Sequence, residues 1–293
     1  MTEKIYILLP VHNRRDMTRR FIECLRIQTF RQYHLVLIDD GSKDGTEEMV
    51  RKLISSITTL KGYGNWWWAG SLQHGYEWLK SQNLPLNDVV LIINDDTNFE
   101  ADFLEKAMYL LRKYSKTLLL AQCYNQKTRE LIDAGVHVDW RKLAFERVAI
   151  PEEINCLSTR GLFLRVSDFF EIGGFYPRLL PHYLSDYEFT IRAQRKGMKL
   201  MTDPLLRLWL DEDATGYRQF KNGSFIDFLK KYFSKKSALN PLILTIFIAL
   251  ACPWQWKFPN WLRVWKGAVY QMIGFLRAAL RKPIKVNLNE PHS

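Results

Sequence analysis

Apolar residues along the chain come in two alternating rhythms. Residues 5–11 (IYILLPV) and 34–38 (HLVLI) are short apolar runs, whereas 16–28 and 46–57 space their apolar residues three and four apart. Short runs predict strands buried on both faces, and the wider spacing predicts helices packed on one side. A glycine-bounded aromatic loop, residues 64–70 (GNWWWAG), precedes a helix expected over 71–82. Next comes Val89-Val-Leu-Ile-Ile-Asn-Asp-Asp-Thr-Asn-Phe99, a strand that ends in two adjacent carboxylates, with a helix expected over 101–114. Beyond it the rhythm loosens. Strands are expected near 117–123, 162–166 and 198–202, a turn at Gly173-Gly174-Phe175, and a helix over 185–196 closed by Gly197. Such alternation implies βαβ units, an α/β fold with a mainly parallel central sheet and flanking helices.

Charge divides the chain. The formal net charge is +11 over 293 residues. Residues 214–285 carry 13 Lys and Arg against one acid, Asp227, which leaves the remainder near neutral. A body over 1–213 and a basic, aromatic-rich tail over 214–293 are therefore expected. The four cysteines show neither CxxC nor zinc spacing and read as buried thiols in a reducing compartment. The opening MTEKIYILLPVHN has too short an apolar stretch for a signal peptide, so a cytoplasmic location is expected.

Two of the first three expected strands finish in Asp-Asp, at Asp39-Asp40 and Asp95-Asp96. On a parallel sheet both pairs reach the same edge, the edge where open α/β sheets bind ligands. So much negative charge calls for a cation. Carboxylate oxygens suit Mg2+ or Mn2+, and Mg2+ is usually shared between one or two carboxylates and substrate phosphates, which points to a nucleotide or diphosphate. The competing reading makes these residues ordinary turn and cap groups, Asp39 and Asp40 with Gly41 and Ser42, and Asp96-Thr97-Asn98 ahead of the next helix. A Walker lysine loop and a GxGxxG turn are both absent from the sequence.

Ile7-Leu-Leu-Pro-Val-His-Asn-Arg-Arg15, Gln28-Thr-Phe30 and Val36-Leu-Ile-Asp-Asp-Gly-Ser-Lys-Asp-Gly-Thr46 together resemble the amino-terminal signature of the inverting family 2 glycosyltransferases. The resemblance extends over residues 4–210 and implies the GT-A fold. It implies that Pro10, His12, Asn13 and Arg14 of the first turn, with Asp39 and Asp40, hold the nucleotide of a nucleotide-diphospho-sugar. Asn94-Asp95-Asp96 would match the DxD-like motif, with Asp96 the metal ligand for Mg2+ or Mn2+, Asp95 on the ribose or a metal water, and Asn94 replacing the usual first carboxylate. Trp68 and Gly70 stand where relatives carry the loop that closes over the donor.

Leu184-Ser-Asp-Tyr-Glu-Phe-Thr-Ile-Arg-Ala-Gln-Arg-Lys-Gly197 resembles the family's ED motif, which makes Asp186 the base that deprotonates the acceptor hydroxyl, with Ser185 in place of the usual Glu. Locally, the same stretch also reads as a capping box, Ser185 with Glu188, leaving Asp186 to complement a helix dipole. Gly173-Gly174-Phe175 would shape the acceptor side. The processive QxxRW is missing, so single-sugar addition is expected, as in bacterial cell-surface glycan enzymes of the rhamnosyltransferase-like kind. Relatives often add a metal-reaching His after the last strand. Here Leu208-Trp-Leu-Asp-Glu-Asp213 offers only Asp211 or Asp213.

In the tail, Trp254, Trp256, Trp261 and Trp265 lie among Lys257, Arg263 and Lys266. Trp with cations suits a lipid headgroup layer, and also stacks on single-stranded bases. On a helical wheel Trp261, Trp265, Ala268, Val269, Met272, Phe275, Leu276, Ala279 and Leu280 gather opposite Arg263, Lys266, Arg277 and Arg281, a stripe that nucleic acid does not need. The expected partner is therefore an anionic membrane surface through residues 225–285, with no nucleic acid. Residues 242–252 are strongly apolar but short of the roughly 20 residues that span a bilayer, and read as a buried or interfacial helix in a helix-turn-helix across 253–259. The expected function is inverting transfer of one sugar to a glycan or lipid-linked acceptor, peripheral on the inner face of the cell membrane. A sugar nucleotidyltransferase would need a glycine-rich first loop that PVHNR does not supply. A catalytically inactive membrane scaffold is the alternative suggested by Asn94 and Ser185.

Overall fold

The structure is a computed structural model that describes residues 3–210, 225–235, 237 and 239–280. Strand β1 (Ile5–Val11) sends Ile5, Ile7 and Leu9 into one apolar layer and Tyr6 and Leu8 into another, because successive strand side chains point to opposite faces. The same double burial closes β2 (Tyr33–Asp39) and β4 (Val89–Ile92) against water. Helices α1 (Arg15–Arg26), α2 (Thr46–Leu53) and α4 (Phe103–Lys113) cover one face of the sheet. Helices α3 (Trp67–Ser81), α5 (Val166–Ile172) and α6 (Ser185–Arg195) cover the other.

The remaining strands are β3 (Ile57–Lys61), β5 (Thr97–Asn98), β6 (Thr117–Asn125), β7 (Leu131–Asp133), β10 (Leu162–Arg165) and β11 (Lys199–Leu210). Among the described residues the main sheet runs β3-β2-β1-β4-β10-β6-β11-β5, with β7 added on β6. Strands β3, β2, β1 and β4 are mutually parallel, as are β6 and β11, while β10 lies antiparallel between the two groups. A separate hairpin pairs β8 (Val136–Asp139) with β9 (Ala144–Arg147). This is the expected α/β architecture with helices on both faces of a mainly parallel sheet.

Local differences from the sequence reading have physical causes. The helix expected over 46–57 stops at Leu53, and the β-branched Ile57, Thr58 and Thr59 form edge strand β3 instead. The strand expected over 198–202 continues to Leu210 past a register shift between Asp203 and Arg207, where Pro204 cannot donate to the ladder. The aromatic stretch 64–70 is a loop only to Trp66, since α3 begins at Trp67.

Within the tail, α7 (Phe225–Tyr232) is followed by α8 (Pro241–Ala251) and α9 (Trp254–Leu280). Asn240 caps α8 by accepting from Leu242 N at 3.0 Å, with Pro241 at the first helical position. Ile243, Phe247 and Ala251 of α8 join Val136, Val138, Leu180 and Ile191 in a third apolar cluster, so α8 is a buried helix. The turn expected across 253–259 is confined to Cys252 and Pro253, and Pro259 lies inside α9. Among the described residues no helix is long and apolar enough to cross a membrane. All four cysteines are free thiols. Asp211 and Asp213 lie outside the described residues.

Candidate active site

The parallel register sets Val11 beside Asp39, so the first turn and both Asp pairs gather at the carboxyl edge of the sheet. Pro10 sits in β1 opposite Ile38, and the turn after it is laced to the loop after β2. His12 Nδ1 donates to the Asp40 carbonyl at 2.6 Å, Asn13 N donates to Ser42 Oγ at 3.0 Å, and Asn13 Oδ1 accepts from Lys43 N at 2.8 Å. Asn13 tolerates the left-handed φ of 50° that this crossing requires. Asp39 accepts from Ser42 N at 2.8 Å through Oδ1.

Asp40 is used differently. Its Oδ1 accepts from Gly64 N at 2.7 Å and Asn65 N at 3.2 Å, and its Oδ2 from Trp66 N at 2.9 Å and Trp67 N at 3.3 Å. Four successive amides thus converge on one carboxylate, two from the loop and two, Trp66 N and Trp67 N, from the start of α3, where the carboxylate supplies acceptors and the favourable charge of a helix N-terminus. Gly62 is required there, because a Cβ would stand 2.5 Å from Asp40 Oδ1. Gly70 lies buried in the first turn of α3 beside Trp66 and Pro177.

Asp95 and Asp96 follow β4 in a tight turn, in which Thr97 Oγ1 donates to the Asn94 carbonyl at 2.8 Å. Neither is a helix cap, since α4 starts only at Phe103. Arg14 reaches from the first turn to both, with Nε 3.2 Å from Asp95 Oδ1 and Nη2 3.5 Å from Asp96 Oδ2. Thr18 Oγ1 donates to Asp95 Oδ2 at 2.8 Å. Withdrawal from water pushes the Asp95 carboxyl up to about 6 against the pull of Arg14. Asp96 Oδ1 is buried without a hydrogen-bond partner. A buried, unpaired carboxylate oxygen at a ligand edge fits a hard divalent cation. Among the described residues no three His, Cys, Asp or Glu side chains gather to hold a metal, so further ligands would have to come from phosphate and water, as Mg2+ sites commonly arrange.

Asp186 opens α6. The capping-box expectation fails: Leu184, at φ 66°, is the N-cap residue, Ser185 Oγ donates to the His182 carbonyl at 2.8 Å, and Glu188 pairs with Arg192 at 2.8 Å. Asp186 has only local backbone donors, Tyr187 N at 2.9 Å and its own amide. It lies in a cleft of about 270 Å³ lined also by Trp68, Asn94, Asp133, Arg147, Arg160 and Tyr187. Desolvation raises its carboxyl to about 6, with a further push from Asp133 and offsetting backbone hydrogen bonds. Trp68 Nε1 donates to Thr159 Oγ1 at 3.2 Å, which fixes the indole at the cleft wall. Gly174 and Phe175 are held beside α6, with Arg192 donating to the Gly174 carbonyl at 2.8 Å and Phe175 N donating to Gln73 Oε1 at 2.6 Å.

One cleft therefore unites Asn94, Trp68 and Asp186, while Asp95 and Asp96 on the same loop as Asn94 form a neighbouring cluster with Arg14 of the turn after β1. Sequence reasoning missed Asp133, Ser158, Arg147 and Arg160. Asp133 Oδ2 accepts from Ser158 Oγ at 2.6 Å, and Arg160 Nε is buried without a partner. The signal available for this segment was Gly161. Its φ of 84°, with Leu208 Cδ1 2.4 Å from where a Cβ would stand, marks a sharp entry into β10.

The sequence matches the profile described as Glycosyl transferase family 2 over residues 6–167, more than half of the chain. The chain belongs to glycosyltransferase family 2. The solved structure of TarS from S. aureus superposes with a TM-score of 0.58 at 17% identity, covering 86% of this chain and 50% of TarS. The chain thus spans half the length of that protein. GalNAc-T7 with UDP, GalNAc and Mn2+ gives 0.59 at 16% identity over 78% of this chain and 50% of the other. A Pyrobaculum calidifontis mannosyltransferase, PcManGT, with GDP-Man and Mn2+ gives 0.57 at 16% identity over 97% and 82%. These likenesses establish the fold of this family 2 chain as GT-A. No curated protein matches it in sequence.

Proposed function

We propose that this chain transfers a single sugar, with inversion, from a nucleotide-diphospho-sugar to a glycan or lipid-linked hydroxyl acceptor at the cytoplasmic membrane face. The observation that carries the reading is the cleft lined both by Asp186, its carboxyl raised to about 6, and by Asn94 of the Asn94-Asp95-Asp96 loop. A general base must be near neutrality in strength and reach the hydroxyl it deprotonates. Asp186 meets the first condition through burial and the second by lacking any side-chain partner of its own. Pro10, His12, Asn13, Arg14 and Asp39 at the sheet edge receive the nucleotide, and Trp68 offers an indole wall to the sugar. Asp40 serves the donor side indirectly, by fixing the start of the helix that carries Trp68. Asp96, with its unpaired oxygen, would hold Mg2+ or Mn2+, which supplies neutralising charge for the diphosphate leaving group. Support also comes from the GT-A neighbours whose structures contain UDP-GlcNAc, or GDP-Man with Mn2+.

A thermal-shift screen of UDP-, GDP- and dTDP-sugars with and without Mn2+ tests this, since a ligand that binds only the native state raises its stability. One donor is expected to stabilise the chain, more strongly with Mn2+, and Asp96→Asn is expected to erase the Mn2+ increment. No donor response at all, or an increment that survives in Asp96→Asn, refutes the reading.

A further inference from the structure

Helix α9 has more apolar surface than the protein covers. Asn260, Val264 and Ala268 face inward and are buried. Asn260 Nδ2 donates to the Trp140 carbonyl at 2.9 Å, and the indole N–H groups of Trp261 and Trp265 donate to the Thr245 carbonyl and to Thr245 Oγ1 at 3.1 Å each. A second edge remains exposed: Trp254, Phe258, Leu262, Trp265, Val269 and Ile273, with Trp254 83% and Phe258 66% accessible. Their spacing of three or four residues keeps them within about 100° of one face. Leu242 of α8, one turn before Thr245, is exposed as well. The stripe is thus narrower than the wheel of the tail suggests, and the apolar face of α8 takes no part in it.

The charge of α9 selects the occupant. It carries Lys257, Arg263, Lys266 and Arg277 and no acidic residue. A second copy of the chain seated on the stripe would bring like charges together, whereas an anionic lipid surface neutralises them. Exposed Trp with flanking cations is also the composition that settles in a headgroup layer.

The hairpin β8–β9 links this face to the cleft. Val136 and Arg147 at its open end line the cleft of Asp186. Its turn packs on the tail, with Trp140 stacked on Phe247 at 5.7 Å, Phe145 against both Phe247 and Tyr187, and Arg263 donating to the Arg141 carbonyl at 2.9 Å. We propose that α9 docks on an anionic lipid surface through the Trp254–Ile273 stripe, and that the hairpin holds the cleft beside that surface so that a lipid-anchored acceptor enters from the α9 side. The inference rests on the glycosyl-transfer reading for the acceptor but not for the docking.

Flotation of the full chain with vesicles of neutral lipid alone, and with roughly one third anionic lipid, tests it. Wild type is expected to float with the anionic vesicles only. The triple variant Trp254→Glu, Phe258→Glu, Leu262→Glu is expected to lose about tenfold or more of that binding, with far-UV circular dichroism and melting temperature unchanged. Wild type left in the load fraction, or a triple variant that floats like wild type, overturns the docking. So does a wild-type dimer in light scattering that the triple variant abolishes, because the stripe would then belong to a second copy. The donor thermal shift of the same samples keeps the two readings apart: vesicle binding without any donor response sustains the docking and removes the transferase assignment.

Discussion

Asp186 can accept a proton only when its carboxylate is charged. With the carboxyl at about 6, the proposed transfer rises with pH through that value and then levels off. The same shift sets the sign of a stability effect. The folded carboxyl titrates above its unfolded value, so below about pH 4 it is protonated in both states and costs nothing, and above about pH 6 the full cost of burying its charge is present. Asp186→Asn is therefore expected to abolish transfer, preserve donor binding and raise stability by on the order of 1–2 kcal/mol above about pH 6, a gain that fades toward pH 4. Urea melts at both pH values and a turnover assay check this, and wild-type turnover in the variant would sink the assignment. Asp186 was legible because a whole helix start, Leu184 to Gly197, surrounds it in sequence. Asp133 and Arg160 were not, since Asp133 ends β7, a strand of three residues too short to leave a pattern, and Arg160 precedes the sharp turn that Gly161 makes against Leu208.

At the level of elements, the double-sided strands β1, β2 and β4 could be read directly, because burial on both faces leaves an unbroken apolar run. The beginning of α3 could not. The amides that lead into it and its first one are satisfied by Asp40, more than twenty residues upstream, and a distant acceptor leaves no local capping signal in GNWWWAG. Asp40→Ala would strand four amides at once and is expected to cost about 2–3 kcal/mol, read as a lower midpoint in chemical denaturation. Asp40→Asn, which keeps acceptor capacity on one oxygen, should cost less. If Asp40→Ala unfolds at the wild-type midpoint, the carboxylate is not what starts the helix. The sequence reading puts Asp40 on the donor, whereas both of its oxygens are observed on the backbone amides that lead into α3.

Across the whole molecule, the division near residue 214 is one of charge more than of packing. Helix α8 lies beyond that division, yet Phe247 is fully buried between Trp140 and Phe145 of the β8–β9 hairpin. Phe247→Ala is expected to lower global stability by about 3–5 kcal/mol, measured by thermal unfolding of the full chain. A loss of less than about 1 kcal/mol would mean that α8 rides on the body without contributing to its core. Tail charge was visible in composition, but which tail residues turn inward was not, because α9 has apolar residues enough for two surfaces and only the body decides between them.

The order in which the sheet is completed also matters to a chain that emerges from the ribosome one residue at a time. Edge strand β5, directly after Asp95 and Asp96, pairs with Trp209 and Leu210 at the very end of β11. The carboxylate loop is made early, but its neighbour on the sheet is among the last pieces of the body to be synthesised. The pairing that anchors the chain just after Asp95 and Asp96 can accordingly form only once the end of β11, more than a hundred residues further along, has been translated.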